Sequence, residues 1–564
     1  MSRMPGLKES VDVVVVGAGA AGMTAAAIAA ADGARVMLLE AAPQVGGTTA
    51  ISGGMVWVPA NHLMAAAGLH DSLDDARRYL AASMPPPRDP QLLETFLARG
   101  DEALRDLIAR TALRLQPVLR YPDYHPALPG STAGGRVLEP VPFDAAVLGE
   151  RFGWLAPPLP EFTLWGGMMV ARSDIPHLRR AARSLRSAWR VAQLLARHAR
   201  ERSRWPRGSS LVLGNALAGR LLQSVLDRGV DLRLAAPVRQ LLLEDGRIAG
   251  VAFDHRGQRV TQGARAVVLA GGGLSHDAAL RAAHVPPLAG TLTATRGAAA
   301  APCGARLALE IGACVDDAPS QQAFWVPAST FTRADGSAGV YPHTVTDRGK
   351  PGLIAVDREG RRFVNEAVSY HDFVQAQLAA GARALPAWLL CDRRFLWRYG
   401  LGCVKPFTWS VDRFVTDGVL RRADTLQALA RSIDVPAEAL RATVERFNAG
   451  ARQGRDDEFG RGGDLYQRHL GDAEHAPNPC VAPIQHAPFY AMAVRPADLG
   501  MAAGLVTDAR ARVLRADGSA IEGLYACGND MQSVMNGAYP GPGITLGPAL
   551  VFGWIAGREA AACR

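Results

Sequence analysis

Hydrophobic positions along the chain fall into runs whose period changes, and each change predicts an element. Residues 11–16 (VDVVVV) form a β-branched run suited to a buried parallel strand, and an Ala-rich helical stretch follows it. Residues 35–40 (RVMLLE) predict a second strand, 267–270 and 523–526 two more, and sheet-like segments return from Phe489. Leu426, Leu429 and Ile433, then Leu440, Val444 and Phe447, recur at helical spacing on either side of Pro436, whereas the polar, Gly-rich residues 450–463 predict a surface loop. After Ser173, Asp174 and Pro176, which can start a helix, Leu178, Ala182, Leu185, Trp189, Ala192 and Leu195 predict a further helix; Arg179, Arg183, Arg186, Arg190 and Arg197 occupy another of its faces. No internal repeat is visible.

The junction of the first strand and helix carries the first chemistry. It reads Gly17-Ala-Gly19-Ala-Ala-Gly22, where Gly17 permits a tight turn, Gly19 lets the backbone approach a pyrophosphate and Gly22 lets the helix pack on the strand. The second strand ends on Glu40, at the distance expected of a carboxylate that binds a ribose 2′-OH. Strand, glycine turn, helix and acid in register point to an adenine dinucleotide. Residues 46–54 (GGTTAISGG) are dense in glycine and hydroxyls, which suits backbone N–H contacts to a second phosphate and a ring system.

Composition narrows the class without changing it. With 48% hydrophobic and 20% charged residues, the 564-residue chain has ample material for a core. Its net charge is +9, and residues 172–207 alone hold eleven arginines against Asp174 and Glu201, so the remainder sums to zero. That concentration, without stacking aromatics elsewhere, argues against nucleic acid. Seven scattered cysteines without a C-x-x-C pair predict reduced thiols of a cytosolic protein and no metal site. The polar N-terminus and the glycines at 17, 19 and 22 predict neither a cleavable signal nor a spanning helix.

The segment GGTTAISGG, the strand running into Gly271-Gly272-Gly273 and the late LYACGND resemble the FAD-binding elements of the fumarate reductase and succinate dehydrogenase flavoprotein superfamily. The resemblance implies an α/β fold: a Rossmann-like FAD-binding domain built from both ends of the chain (1–282 and 488–564), with an inserted α+β catalytic domain (283–487). It implies FAD contacts from Gly17, Gly19, Gly22, Glu40, Gly47, Thr48, Thr49, Ser52, Gly53, Gly54, Val238, Gly271, Gly272, Gly528, Asn529, Gly543 and Leu546. Covalent members attach the flavin through a histidine after the ribose acid; none stands between Leu39 and Asn61, so noncovalent FAD is expected.

Near the C-terminus, Tyr539-Pro540-Gly541-Pro542-Gly543 resembles the signature of 3-ketosteroid Δ1-dehydrogenases, in which the tyrosine hydroxyl and the glycine N–H hold the steroid C3 carbonyl oxygen. Residues 361–370 (RRFVNEAVSY) resemble the family element whose tyrosine is the general base, here Tyr370, with Ala367 replacing the usual serine. Residues 121–126 (YPDYHP) resemble the element whose first tyrosine supports that base, here Tyr124, with His125 replacing the second. The resemblance covers nearly the whole chain except 150–210. It implies conversion of 3-oxo-Δ4-steroids to 3-oxo-Δ1,4-steroids in sterol degradation, by proton abstraction at C2 and hydride transfer from C1 to flavin N5. A developing enolate needs fixed donors, supplied by Tyr539 and Gly543, and tyrosine is a poor base at neutral pH unless its anion is stabilised, a task that falls to Tyr124. As the bland counterpart of a functional role, Arg362 and Glu366 could form an ordinary surface ion pair, and the histidines, including His125, His371 and His486, show no pairing pattern.

The alternatives are a Δ4-(5α)-dehydrogenase or a fumarate-reductase-like enzyme on the same scaffold. The latter needs cations converging on two carboxylates, where this loop offers tyrosine, proline and glycine. The basic segment 165–207 departs from the family pattern, and arginines on one face with Leu and Trp on the other predict contact with an anionic membrane. The partners expected are therefore a 3-ketosteroid, an artificial or quinone-type electron acceptor and a membrane surface at 172–207. The expected location is cytoplasmic, peripheral on the inner face of the cytoplasmic membrane.

Overall fold

The β-branched run forms the strand Lys8–Val16, parallel to Val36–Leu39 on one side and to Gln258–Leu269 on the other, which in turn pairs with Ala520–Ala526. Val13, Val14 and Val15 are fully buried, as a strand covered on both faces requires. The computed structural model describes residues 8–285, 287, 290, 292–297, 301–316, 321–345 and 347–563, so the polar residues 1–7 lie outside the described residues. Among these, the first sheet has eight strands and draws on both ends of the chain.

The helices Ala20–Ala31 and Leu546–Ala562 pack on that sheet and on each other. Their close approach needs glycine: a Cβ at Gly553 would lie 2.7 Å from the Ala21 carbonyl oxygen, and one at Gly557 2.5 Å from that of Ala25. A second sheet is antiparallel and contains Ala323–Thr332, Phe489–Met501, Ala387–Asp392 and Leu353–Val356. The strand from Phe489, expected to open the chain's return to the first sheet, hydrogen-bonds within the second one instead; the first is rejoined at Arg512–Leu514 and Ala520–Ala526. The architecture is the expected one: a Rossmann-like α/β domain made from both chain ends, with an α+β domain inserted.

Leu426–Ser432 and Ala437–Ala451 are helices flanking Pro436. Residues 450–463 do not lie wholly on the surface, because Asp456 and Arg461 turn inward to buried ion-pair partners. The helix predicted from residue 174 onward is two, Ile175–Arg180 and Leu185–Arg202, with a 3-10 turn between them. Ser184 ends the continuity, taking an extended backbone while its hydroxyl caps the second helix at the Ser187 N–H. Among the described residues, no helix is long and apolar enough to cross a membrane.

Candidate active site

Two kinds of glycine build a cradle at the carboxyl ends of the first sheet. Gly17 (φ +102°) and Gly22 are packed against protein: a Cβ would lie 2.4 Å from the Ala270 carbonyl oxygen in one case and 1.9 Å from that of Gly17 in the other. At Gly19 a Cβ would meet only the Thr49 hydroxyl, at 4.0 Å, and at Gly47 and Gly272 it would meet nothing. Glycine at those three positions thus leaves space open rather than filling it. Gly53 is nearly as open, whereas Gly54 packs on Gly214.

Hydrogen bonds fix the rest of the cradle. Glu40 accepts the N–H groups of Ala18 (2.7 Å) and Ala42 (2.9 Å); burial pushes its carboxyl pKa up, opposed by these bonds. The Thr49 hydroxyl accepts from the Ala20 N–H, that of Thr48 from the Arg296 N–H, and that of Ser52 from the Gly54 N–H. Val238 begins the strand Val238–Glu244, close to Ala236, whose N–H donates to the Glu40 carbonyl. Asp530 accepts from the N–H groups of Gly271 and Gly273 and so holds the turn of Gly271 and Gly272 beside Gly528 and Asn529, while Leu546 opens the C-terminal helix. Open glycines beside a strand-to-helix turn, with Glu40 at the end of the second strand, fit FAD.

Three tyrosines meet at the far end. The loop holding Tyr124 is clamped by Asp123, which accepts from Trp57 Nε1 (2.9 Å), Arg136 Nη1 (2.9 Å) and the Thr132 N–H (3.0 Å). It is joined to the Tyr539 loop at Pro540, whose carbonyl accepts from the Tyr124 N–H (3.0 Å) and the Tyr79 hydroxyl. Tyr370 is the first residue of the helix Tyr370–Ala379, capped by Ser369. The rings of Tyr124, Tyr370 and Tyr539 form a triangle with centroid separations of 5.7, 5.8 and 5.2 Å, and each residue is at least 94% buried.

Beside Tyr539 stand neutral groups. Phe324 is edge-on to Tyr539 at 5.7 Å, and His371 faces it at 5.8 Å. His371 Nδ1 accepts from the Trp325 N–H, and burial lowers the imidazole pKa to about 3, so the ring is uncharged at neutral pH. Gly543 takes φ +96°, where a Cβ would lie 2.5 Å from the Met55 carbonyl oxygen; its carbonyl accepts from Trp57 and Gly547, and its own N–H donates to no protein acceptor among the described residues.

Burial raises the pKa of all three phenols. Contact between Tyr370 and Tyr539 raises the former and lowers the latter, the reverse of what a base at Tyr370 requires; the Tyr124 hydroxyl, by contrast, lowers Tyr370. That hydroxyl completes no well-formed hydrogen bond among the described residues, so its link to Tyr370 is a loose contact rather than a closed bond. A ketone oxygen placed between Tyr539 and the free Gly543 N–H would engage the Tyr539 hydroxyl and relieve the unfavourable contact.

Several residues of this assembly were not singled out from the sequence. Asp530 and Asp123 lie inside recognised motifs, but their partners are 257 and 66 residues away. Tyr466, 4.7 Å from Tyr124, had no signal. Arg362 and Glu366 are not a surface pair: both side chains are fully buried, with Asp456 and Arg461 completing a network behind Tyr370. Histidines do pair, as in the buried His343–Asp347 contact of 2.7 Å.

The sequence profile of the FAD binding domain family matches residues 12–546, and the chain belongs to that family of flavoproteins. It is 36% identical to 3-oxosteroid 1-dehydrogenase of Mycolicibacterium smegmatis, over 98% of this chain and 97% of that protein. It is 38% identical to 4-oxocyclohex-2-ene-1-carboxylate 5-dehydrogenase of Sinomonas cyclohexanicum, over 98% and 93%. The crystal structure of 3-ketosteroid Δ1-dehydrogenase from Sterolibacterium denitrificans with 1,4-androstadiene-3,17-dione superposes with a TM-score of 0.91 at 36% identity, covering 99% of this chain and 100% of that one. Within the flavoproteins, then, the chain is a member of the 3-ketosteroid Δ1-dehydrogenase family.

Proposed function

We propose that the protein is an FAD-dependent oxidoreductase that introduces the 1,2 double bond into 3-ketosteroids, converting 3-oxo-Δ4-steroids to 3-oxo-Δ1,4-steroids. One observation carries the reading: Tyr370, Tyr539 and the free N–H of Gly543 converge where the glycine cradle ends. Tyr539 and Gly543 hold the C3 carbonyl oxygen and stabilise the enolate that develops there. Tyr370 takes the C2 proton, and Tyr124 supports its anion. When bound in the cradle, FAD supplies the two-electron oxidant for C1. The proposed division is 1–282 and 488–564 for the FAD-binding domain and 283–487 for the catalytic one, with the strand Phe489–Met501 at their junction.

The relatives that act on keto acids share the chemistry of dehydrogenation beside a ring ketone. Here the Tyr539 side of the triangle is lined by Phe324 and uncharged His371, which favours a neutral substrate, since a carboxylate needs a cation to offset its desolvation. A quinone-type or artificial acceptor would reoxidise the flavin.

The basic segment suits a membrane. Leu185 is 91% and Trp189 68% exposed, and Arg183, Arg186, Arg200 and Arg204 form no ion pair among the described residues. Arg179, Arg180 and Arg190 are instead occupied by Asp472, Glu474 and Asp174. The second helix thus presents apolar and cationic groups together to an anionic surface, peripheral on the inner face of the cytoplasmic membrane.

The test is anaerobic mixing of the yellow holoprotein with androst-4-ene-3,17-dione, cholest-4-en-3-one or 4-oxocyclohexanecarboxylate. Bleaching by a steroid with formation of the 1,4-dien-3-one, lost in Tyr370→Phe, is the expected result. Bleaching by the keto acid alone would overturn the substrate assignment.

A further inference from the structure

Tyr370 must be freed of its proton in every turnover, yet the tyrosine triangle is buried and a bound steroid would close its remaining face. A pocket beside Tyr124 offers a way out. It is half-open, with about 260 Å³ of space for water, and its wall includes Tyr124, His125, Asp372 and Tyr466. That volume has room for a chain of waters, each needing roughly 10–15 Å³ by the same measure. The hydroxyls of both Tyr124 and Tyr466 are buried without a hydrogen-bond partner, which is costly unless something in the cavity satisfies them.

On the outer wall, His125 Nε2 stands 3.8 Å from Asp372 Oδ2, with about a third of each side chain exposed. Asp372 also accepts from the Ser369 hydroxyl at 2.8 Å. The other titratable or charged groups facing this pair are Arg348, Asp464, Tyr466, Tyr79 and His371. Burial raises the Asp372 carboxyl pKa, with His125, Ser369 and Arg348 opposing it. His125 occupies the position where the family pattern has a second tyrosine, so the pair belongs to this chain and not to the signature.

Resting on the dehydrogenase reading, we propose that His125 and Asp372 form the exit of a proton path from Tyr370 through Tyr124 and this cavity. The C2–H electron pair stays with the substrate as the enolate forms, and the proton passes to the Tyr370 oxygen. Tyr370 then yields a proton to Tyr124 as the Tyr124 hydroxyl yields its own to the cavity. The Asp372 carboxylate or the His125 imidazole accepts it and releases it to bulk water, which leaves Tyr370 a phenolate again. His125 and Asp372 act through the tyrosines and touch no substrate.

The test uses holoenzyme carrying His125→Phe, Asp372→Asn or both, assayed with androst-4-ene-3,17-dione and a dye acceptor across pH, in H₂O and D₂O, with and without added imidazole. The double variant should keep its flavin absorbance and a KM within about twofold while kcat falls about 10²-fold, the lower end of the scale of proton-transfer catalysis. Its solvent isotope effect should rise and added imidazole should restore kcat. Turnover within twofold of wild type, or a loss that imidazole does not restore and that leaves the isotope effect unchanged, overturns the path alone. Wild-type protein that turns over no ring ketone overturns the dehydrogenase reading, and the path with it.

Discussion

Arginine serves opposite ends in two regions of the molecule. Beneath the tyrosine triangle, Arg136 bonds Asp71 and Asp123, while Arg362 and Arg461 share Glu366; these side chains are fully buried and surrounded by acceptors. On the segment 172–207, eleven arginines carry the whole net charge, and several have no acid partner among the described residues. Buried guanidinium groups are tolerable only when paired, so they lock loops in place; exposed ones add little to stability and remain available to an external anion. Partners rather than residue type decide whether an arginine shapes the pocket or the surface.

Removing a tyrosine from the triangle should have the largest effect. Tyr370→Phe leaves the fold and its packing but deletes the base, and kcat for steroid dehydrogenation should drop by about 10³-fold, read in a dye-reduction assay. Next comes the lock. Asp123→Ala strands part of Arg136 and the Trp57 N–H in a buried site, which should cost about 3–5 kcal/mol in denaturant unfolding. Activity should fall with it, because the Tyr124 loop loses its anchor.

Acid should find the pocket before it finds the surface. His371 has a folded pKa of about 3 against 6.5 unfolded, so the unfolded chain binds the extra proton and stability declines as pH falls from 6.5 towards 3. By pH 3 this contributes a loss on the order of 4 kcal/mol. His371→Gln removes the titration, and its stability should fall less steeply than the wild type's over that interval in pH-dependent unfolding.

The two regions also differ in how far the sequence revealed them. The glycine cradle was legible because a dinucleotide turn is local: strand, Gly17, Gly19, Gly22 and Glu40 lie within 30 residues, and each glycine has its own backbone reason. Tyr370, Tyr539 and Gly543 were legible only through resemblance, since nothing in their local pattern says that they meet. Asp123 stands inside a legible motif, yet its importance comes from Arg136 and Trp57, which that motif does not contain. Glu366 was misplaced to the surface for the same reason: Asp456 and Arg461, its buried company, sit in a stretch whose glycines and charges read as exposed. On the basic segment, periodicity found the helical residues but not the break, which a single capping serine decides.

The smallest effect on the fold should come from that segment, and there the contrast between the two kinds of arginine can be drawn most finely. Arg183→Gln with Arg186→Gln removes two charges that no described acid holds, so unfolding free energy should change by no more than about 0.5 kcal/mol. Binding to anionic vesicles should weaken, at about 1 kcal/mol for each basic residue near the surface, by roughly 30-fold in cosedimentation. Arg179→Gln with Arg180→Gln removes the same charge from the preceding helix, but those residues already neutralise Asp472 and Glu474. Their loss leaves Arg398 as the cation shared by both acids and loosens the segment from the catalytic domain, so stability should fall more than in the first pair. If both pairs weaken vesicle binding equally and neither shifts stability, net charge alone governs the surface and the partnering seen in the structure has no bearing on it.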